Sequence, residues 1–455
     1  MRRLILPLYL LLGACMPVAP TETATRAAVI ADSTLPPMRS FSVPRPFPTT
    51  ASNADIARDF IELSFALESG RALERFTRFE DPIRVRVTGQ PRASLFSDLD
   101  QVLHRLRTEA QIDVARATGD AAQITVEAVP RAEIRRILPQ AACFVVPNVS
   151  SLQEYLRVRR TGQVNWSNMT ERNRVAVFVP ADASPQEVRD CLHEELAQAI
   201  GPLNDLYRLP DSVFNDDNVH TVLTGFDMTI LRAFYDPALQ SGMTREEVAA
   251  RLPAILARIN PAGQGQRASN LDATPRGWVD AIQAALGPGT PNREDAARQA
   301  LSIAMAMGWT DHRRGFAHYA MGRILQARDL DAALAQFREA DRFFAASPRT
   351  RLHRAYVASQ LAAHAIARNE PDAALTLLAP QIEVAARHEN AALLATLLML
   401  RAEALDLSGR VTEAREVRLD SLGWARYGFG SDVAVRGKID EIGALNPLKR
   451  RIGSL

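Results

Sequence analysis

Apolar residues fall at helical spacing over residues 55–70 (Ile56, Phe60, Ile61, Phe65, Leu67) and again over 95–108, where Leu99, Val102, Leu103 and Leu106 share a face. Between these helices, residues 83–87 alternate apolar side chains with arginine and stop at Gly89, the period-two pattern of a strand. Residues 122–129, 143–146 and 175–179 continue as β-prone runs. The next element has the firmest boundaries. Ser184 is an N-cap, Pro185 takes the first helical position, Glu187 completes a capping box, and Gly201-Pro202 stop the chain, so a helix is predicted over 185–200. The order of helix, strand, helix, strands and helix predicts an α+β domain on one mixed sheet, spanning residues 53–258.

Residues 259–275, with several Gly, Asn and Pro, read as a linker. Beyond them β-branched runs give way to Ala- and Leu-rich helical patterns over 276–430, followed by a tail, 431–455. These helices repeat. Ala333-Leu334, Phe337 and Ala340 recur as Ala374-Leu375, Leu378 and Gln381, then as Ala414, Arg418 and Ser421, at periods of 41 and 40 residues. Small residues precede each copy at Gly322, Ala362 and Ala402. The pattern resembles tetratricopeptide helix pairs with a lengthened period, which implies stacked pairs and a binding groove.

With 47% apolar and 23% charged residues, the composition excludes global disorder and a polytopic membrane protein. All but two of the 54 basic residues are arginine (Lys438 and Lys449 excepted), yet acids are interspersed and the net charge is only +2, so no nucleic-acid partner is expected. The first residues change the picture more. Arg2 and Arg3 lead into a short apolar run over 4–12, far below the ~20 residues of a spanning helix. Leu12-Gly13-Ala14-Cys15 resembles a bacterial lipobox. That resemblance implies a signal peptide over 1–14, a lipidated Cys15 that anchors the chain to a membrane, and a periplasm-facing place in the cell envelope. Met16 follows the cysteine where the aspartate of inner-membrane retention would stand, which favours the outer membrane. The Pro-, Thr- and Ala-rich stretch 15–52 reads as a tether. Export leaves Cys143 and Cys191 as two thiols in an oxidising compartment, and a disulfide between them is expected.

The predicted helix 185–200 carries the candidate chemistry. His193-Glu194 invites comparison with zinc-binding H-E-x-x-H helices, but the second ligand position is Ala197, which has no lone pair to give. Shifted by one residue and anchored on Gly201, the segment resembles the metzincin helix and turn. The implied ligand positions are then Glu194, Gln198 and Asn204, with Glu195 at the general-base position and Phe214 at the methionine turn. No histidine remains at any of the three, and amide oxygens are weak zinc ligands. The resemblance therefore implies a zincin-like scaffold that has lost its metal. Its substrate would lie beside an edge strand, expected at 175–179. His193, Asp205, Ser212, Phe214 and His220 are further candidates for the cleft. The polar run 211–220, especially Asn215-Asp216-Asp217-Asn218, reads as a solvated turn rather than a calcium loop.

The block from His193 to Asp217, with its Gly-Pro-Leu-Asn-Asp-Leu-Tyr-Arg-Leu-Pro-Asp-Ser-Val-Phe-Asn-Asp-Asp run, is also similar to bacterial domain-of-unknown-function family 2927. That similarity implies an envelope lipoprotein and supplies no activity. The expected function is a non-catalytic protein that holds a peptide or protein segment, with no cofactor. Two alternatives stand beside it. One is an active hydrolase with Glu195 as base and a divalent metal on Glu194, Gln198 and Asn204. The other is an assembly factor that acts only through its helical repeats.

Overall fold

The computed structural model describes residues 33, 35–41, 47–287 and 289–452. The expected signal segment 1–14 and the lipidation site Cys15 lie outside them. No helix among the described residues is long and apolar enough to cross a membrane.

The first part of the chain runs α1 (Asn53–Ser64), β1 (Ile83–Gly89), α2 (Ala93–Thr108), β2 (Val114–Arg116), β3 (Ile124–Val129), α3 (Arg131–Ile137), β4 (Phe144–Pro147), α4 (Leu152–Val158), β5 (Val175–Pro180), α5 (Pro185–Ile200), α6 (Gly225–Phe234) and α7 (Arg245–Ile259). The five strands form one sheet in the order β2-β1-β3-β5-β4. All pairings are parallel except β4 with β5. This is the mixed sheet with flanking helices that the sequence pattern predicts.

One expectation is corrected here. The run 175–179 is not an edge strand. β5 lies between β3 and β4, and all six of its residues are buried. A continuous apolar run suits a strand covered on both faces. One face of β5 meets Leu192, Leu196 and the rest of the main core, and the other meets Ile134, Phe144 and Leu152. The edges are β2 and the short antiparallel β4.

The remainder of the chain is helical: α8 (Arg276–Leu286), α9 (Arg293–Ala306), α10 (His312–Leu325), α11 (Leu330–Phe344), α12 (Arg351–Ala367), α13 (Pro371–Arg387), α14 (Ala391–Leu407), α15 (Val411–Phe429), α16 (Asp432–Gly443) and α17 (Pro447–Ile452). From α8 to α15 the helices pack most closely as consecutive pairs. The repeated positions explain the packing. Ala333, Ala374 and Ala414 are fully buried on the second helix of each pair, as are Ala362 and Ala402 on the first helices of the later pairs. Gly322 lies so close to the Phe337 ring that a Cβ would stand 2.6 Å from it. Each repeat thus brings two backbones together over a small residue.

The helical part and the α/β part share a buried seam. Tyr207 meets Trp278 edge-on at 5.2 Å, and Trp309 meets Trp278 at 5.5 Å. Arg349 pairs with Asp211 at 2.6 Å. Gln186 of α5 accepts a hydrogen bond from the Ala391 amide (2.9 Å). Part of the segment read as a tether lies on this body. Phe41 stacks on Trp424 at 4.7 Å, Arg39 pairs with Asp420, and Phe47 sits between Arg351 and Arg387. Residues 260–275, read as a linker, run back across α1, where Ser269 bonds Asp55 and Asn260 bonds Asn53.

Candidate functional site

α5 is set by local chemistry at both ends. The Ser184 hydroxyl accepts from the Glu187 amide, and Pro185 starts the first turn. The predicted capping box forms only by half. The Glu187 carboxylate turns to Arg131 (2.6 Å) instead of to the Ser184 amide. At the other end, buried Arg172 donates to the Gln198 and Ala199 carbonyls at 2.8 and 2.9 Å, and the helix stops at Gly201. A cation there satisfies carbonyls that lack helical partners and complements the helix dipole. Burial lowers the Arg172 pKa to about 10, which leaves it charged.

The expected disulfide is present. Cys143, the residue before β4, is bonded to Cys191 in the middle of α5, with Cα atoms 5.9 Å apart. It fixes α5 against the antiparallel edge of the sheet.

One face of α5 gathers carboxyl groups. Glu194 and Glu195 meet Glu68 from the turn after α1, and Asp205 and Asp216 from the segment after α5. Glu68 and Asp216 are exposed, Glu194 and Asp205 half-buried, and Glu195 buried with only 5% of its surface accessible. None of the five forms an ion pair among the described residues. Glu195 Oε2 and Asp205 Oδ1 are buried without hydrogen-bond partners among those residues. Desolvation first, and mutual repulsion second, push these groups toward their neutral forms. Glu194 rises to about 8, and Glu195 and Asp205 rise well above the usual carboxylate range. Glu68 and Asp216 are raised as well, chiefly by desolvation.

The sequence candidates divide. Glu194, Glu195 and Asp205 act on one another at this face of α5, and Gln198 joins them by donating from Nε2 to Glu68 (3.2 Å). Asn204 turns away and donates to the Glu62 carbonyl (3.0 Å). His193 points elsewhere: it is 1% exposed, and its Nδ1 accepts from the Leu223 amide (3.3 Å). Burial and the charges of Arg189 and Arg105 hold its pKa well below normal, so the ring stays neutral. Ser212 is fully buried and donates to Asp227, and Phe214 is a core residue at 1% exposure. His220 lies in the seam beside His353 and His388. Sequence reasoning missed Glu68 and the role of Asp216. Both sit in turns, and only the chain's return brings them to α5.

These donors fit a zinc ion poorly. Gln198 and Asn204 offer only neutral amide oxygens, their amide nitrogens are oriented by Glu68 and Glu62, and the His193 imidazole faces the Leu223 amide. Among the described residues no three His, Cys, Asp or Glu side chains are arranged to hold a metal.

Comparison with curated proteins finds no match, and comparison with solved structures finds none. Residues 53–254 match the family described as "Protein of unknown function (DUF2927)", a match that spans the α/β part of this chain, including α5 and its carboxyl-lined face.

Proposed function

We propose that the protein is a non-catalytic, lipid-anchored protein of the cell envelope that faces the periplasm and holds a peptide or protein segment. In this reading the α/β domain is a zincin-like scaffold without its metal, and the helix pairs are tetratricopeptide-like repeats. The observation that carries it is the carboxyl-lined face of α5. Where metal ligands would stand, Gln198 and Asn204 donate to internal partners, while five carboxyl groups act on one another with no ion-pair partner among the described residues. Such a face is unsuited to gripping zinc. It suits an extended segment that brings a basic side chain, because a cation would offset the desolvation and mutual repulsion that raise these carboxyl groups.

The test uses the full-length protein in its own envelope with a photo-crosslinking amino acid at position 68 or 216. The expected result is a covalent adduct to a polypeptide that weakens in the Glu194→Gln, Asp205→Asn double variant. Stoichiometric zinc in the purified protein, with peptide hydrolysis abolished by Glu195→Gln, would overturn the proposal in favour of a hydrolase. An unchanged adduct in the double variant that disappears on deletion of 276–455 would assign binding to the repeats alone.

A further inference from the structure

Four of the chain's eight histidines converge at the seam. His220 comes from the loop after α5, His312 and His353 from the first turns of α10 and α12, and His388 from the end of α13. Ring centroids separate His220 from His388 by 5.1 Å, His220 from His353 by 5.8 Å, and His312 from His353 by 6.1 Å. Half of the histidine content thus sits in one place, drawn from both parts of the chain.

The four are not equivalent. His353 has a carboxylate companion, with Nε2 3.0 Å from Asp217 Oδ2. His312 has Asp311 at 4.0 Å and the Tyr207 carbonyl at 2.8 Å. His220 and His388 have none. His220 is 5% exposed, bonds the Pro210 carbonyl, and leaves Nε2 without a partner among the described residues. His388 is half-buried against Phe47, and its Nε2 is unpartnered in the same sense.

The charges that face the cluster are mostly positive. Arg349 acts on His220, Arg351 and Arg387 act on His388, and Arg313 acts on His312. The nearby acids are engaged, Asp211 by Arg349, Glu389 by Arg189 and Asp311 by Arg313. Asp217 is held by His353, so a proton on His220 or His388 would add a cation beside arginines with no ion-pair partner of its own among the described residues.

We propose that this seam is an acid-sensitive latch, closed while His220 and His388 are neutral and opened when they take up protons. Burial, then neighbouring imidazole and arginine charges, depress these rings: His220 well below its ordinary value, and His388 and His312 to about 4. A depressed pKa gives stability that is present above the unfolded value, ~6.5, and is lost as pH falls toward the folded value. The buried acids of the same region act oppositely. Asp98 and Asp190 have raised values, about 6 and about 7, so their protonation favours the folded state. Protonation of the histidines therefore loosens the seam, and protonation of Asp190, bonded to Thr221 beside His220, offsets part of that loss. The latch does not depend on the peptide-binding reading.

Hydrogen exchange of the full-length protein at pH 7.0 and 4.5, corrected for intrinsic rates, tests it. Peptides covering 207–223, 351–358 and 384–392 are expected to lose at least about tenfold in protection at pH 4.5, while β3 and β5 keep theirs. The His220→Gln, His388→Gln double variant, in which His312 still titrates, is expected to lose clearly less seam protection than the wild type across the same step. His388 is half-buried, so His388→Gln alone serves if the double variant fails to fold, and it is expected to remove part of the loss. Seam protection that does not change with pH in the wild type, that is lost together with the sheet, or that falls equally in the variants would overturn the proposal.

Discussion

Removing the Cys143–Cys191 bond tests how far one covalent link sets the stability around α5. The two cysteines are 48 residues apart, and the loop they close contains β4, α4 and β5. Closing a loop of that length removes denatured-state entropy worth about 4 kcal/mol at 25 °C on the chain-entropy account, and native disulfides are commonly measured at about 2–4 kcal/mol. The native side adds little, because Cys191 is a small buried side chain and alanine leaves only a minor void. The Cys143→Ala, Cys191→Ala variant should therefore lose about 3–4 kcal/mol in the opening free energy of the most protected β5 amides, read by native-state hydrogen exchange. Reductant should cost the wild type the same amount and cost the variant nothing. A variant within about 1 kcal/mol of wild type would show that the bond constrains no chain that was free in the unfolded state. Further loss when reductant is added to the variant would show that the effect belongs to something other than this bond.

Further perturbations probe the same body. Arg189→Met leaves Glu389 buried without its partner and is expected to cost about 3–5 kcal/mol in urea unfolding, with most of the loss recovered in Arg189→Met, Glu389→Gln. Glu194→Gln should be nearly silent at pH 4 and stabilising by about 1–2 kcal/mol at pH 8, after allowance for its partial exposure. The sign follows from a folded pKa raised to about 8, for which stability is complete below the unfolded value and is lost as pH rises through the folded one; chemical denaturation at the two pH values reads it. Gly428→Ala and Gly437→Ala should act in opposite directions in thermal unfolding. A Cβ at 428 would stand 2.6 Å from the Ala392 backbone and should cost about 1–3 kcal/mol, whereas position 437 meets nothing within 4 Å in an exposed helix and should gain about 0.5–1 kcal/mol.

What was legible in the sequence was what local chemistry decides. Ser184, Pro185 and Gly201 bound α5 because caps and stops act within one turn, and the observed helix, Pro185–Ile200, matches the predicted one. The disulfide followed from the scarcity of cysteine once export was assumed, and the helix pairs followed from small residues recurring at a fixed period. The failures are all non-local. An apolar run such as 175–179 reads the same at an edge as in the interior, and strand order is decided by pairings the run does not encode. Glu187 has the residue type and spacing of a capping box, but Arg131, 56 residues earlier, competes for it. Glu68 reaches Gln198 across 130 positions, so no window along the chain contains both. His220 looked like part of a polar turn because its companions come from helices more than a hundred residues later.

The faces of α5 explain why these features belong to one mechanism. Gln186, Arg189 and His193 recur at spacings of three and four and share the face toward the seam, where Gln186 meets Ala391, Arg189 meets Glu389 and His193 meets Leu223. Glu194 and Gln198, also four apart, share the carboxyl-lined face. Cys191 ties the helix to the β4 edge of the sheet. A helix held by a disulfide, a buried ion pair and an arginine on its last carbonyls has little freedom to roll or slide. The one-residue offset between His193 and Glu194 is therefore decisive. It places the imidazole on the face that carries architecture and the carboxylate on the face that meets solvent, so the local sequence can resemble a metal-binding helix while its chemistry is divided between two different tasks.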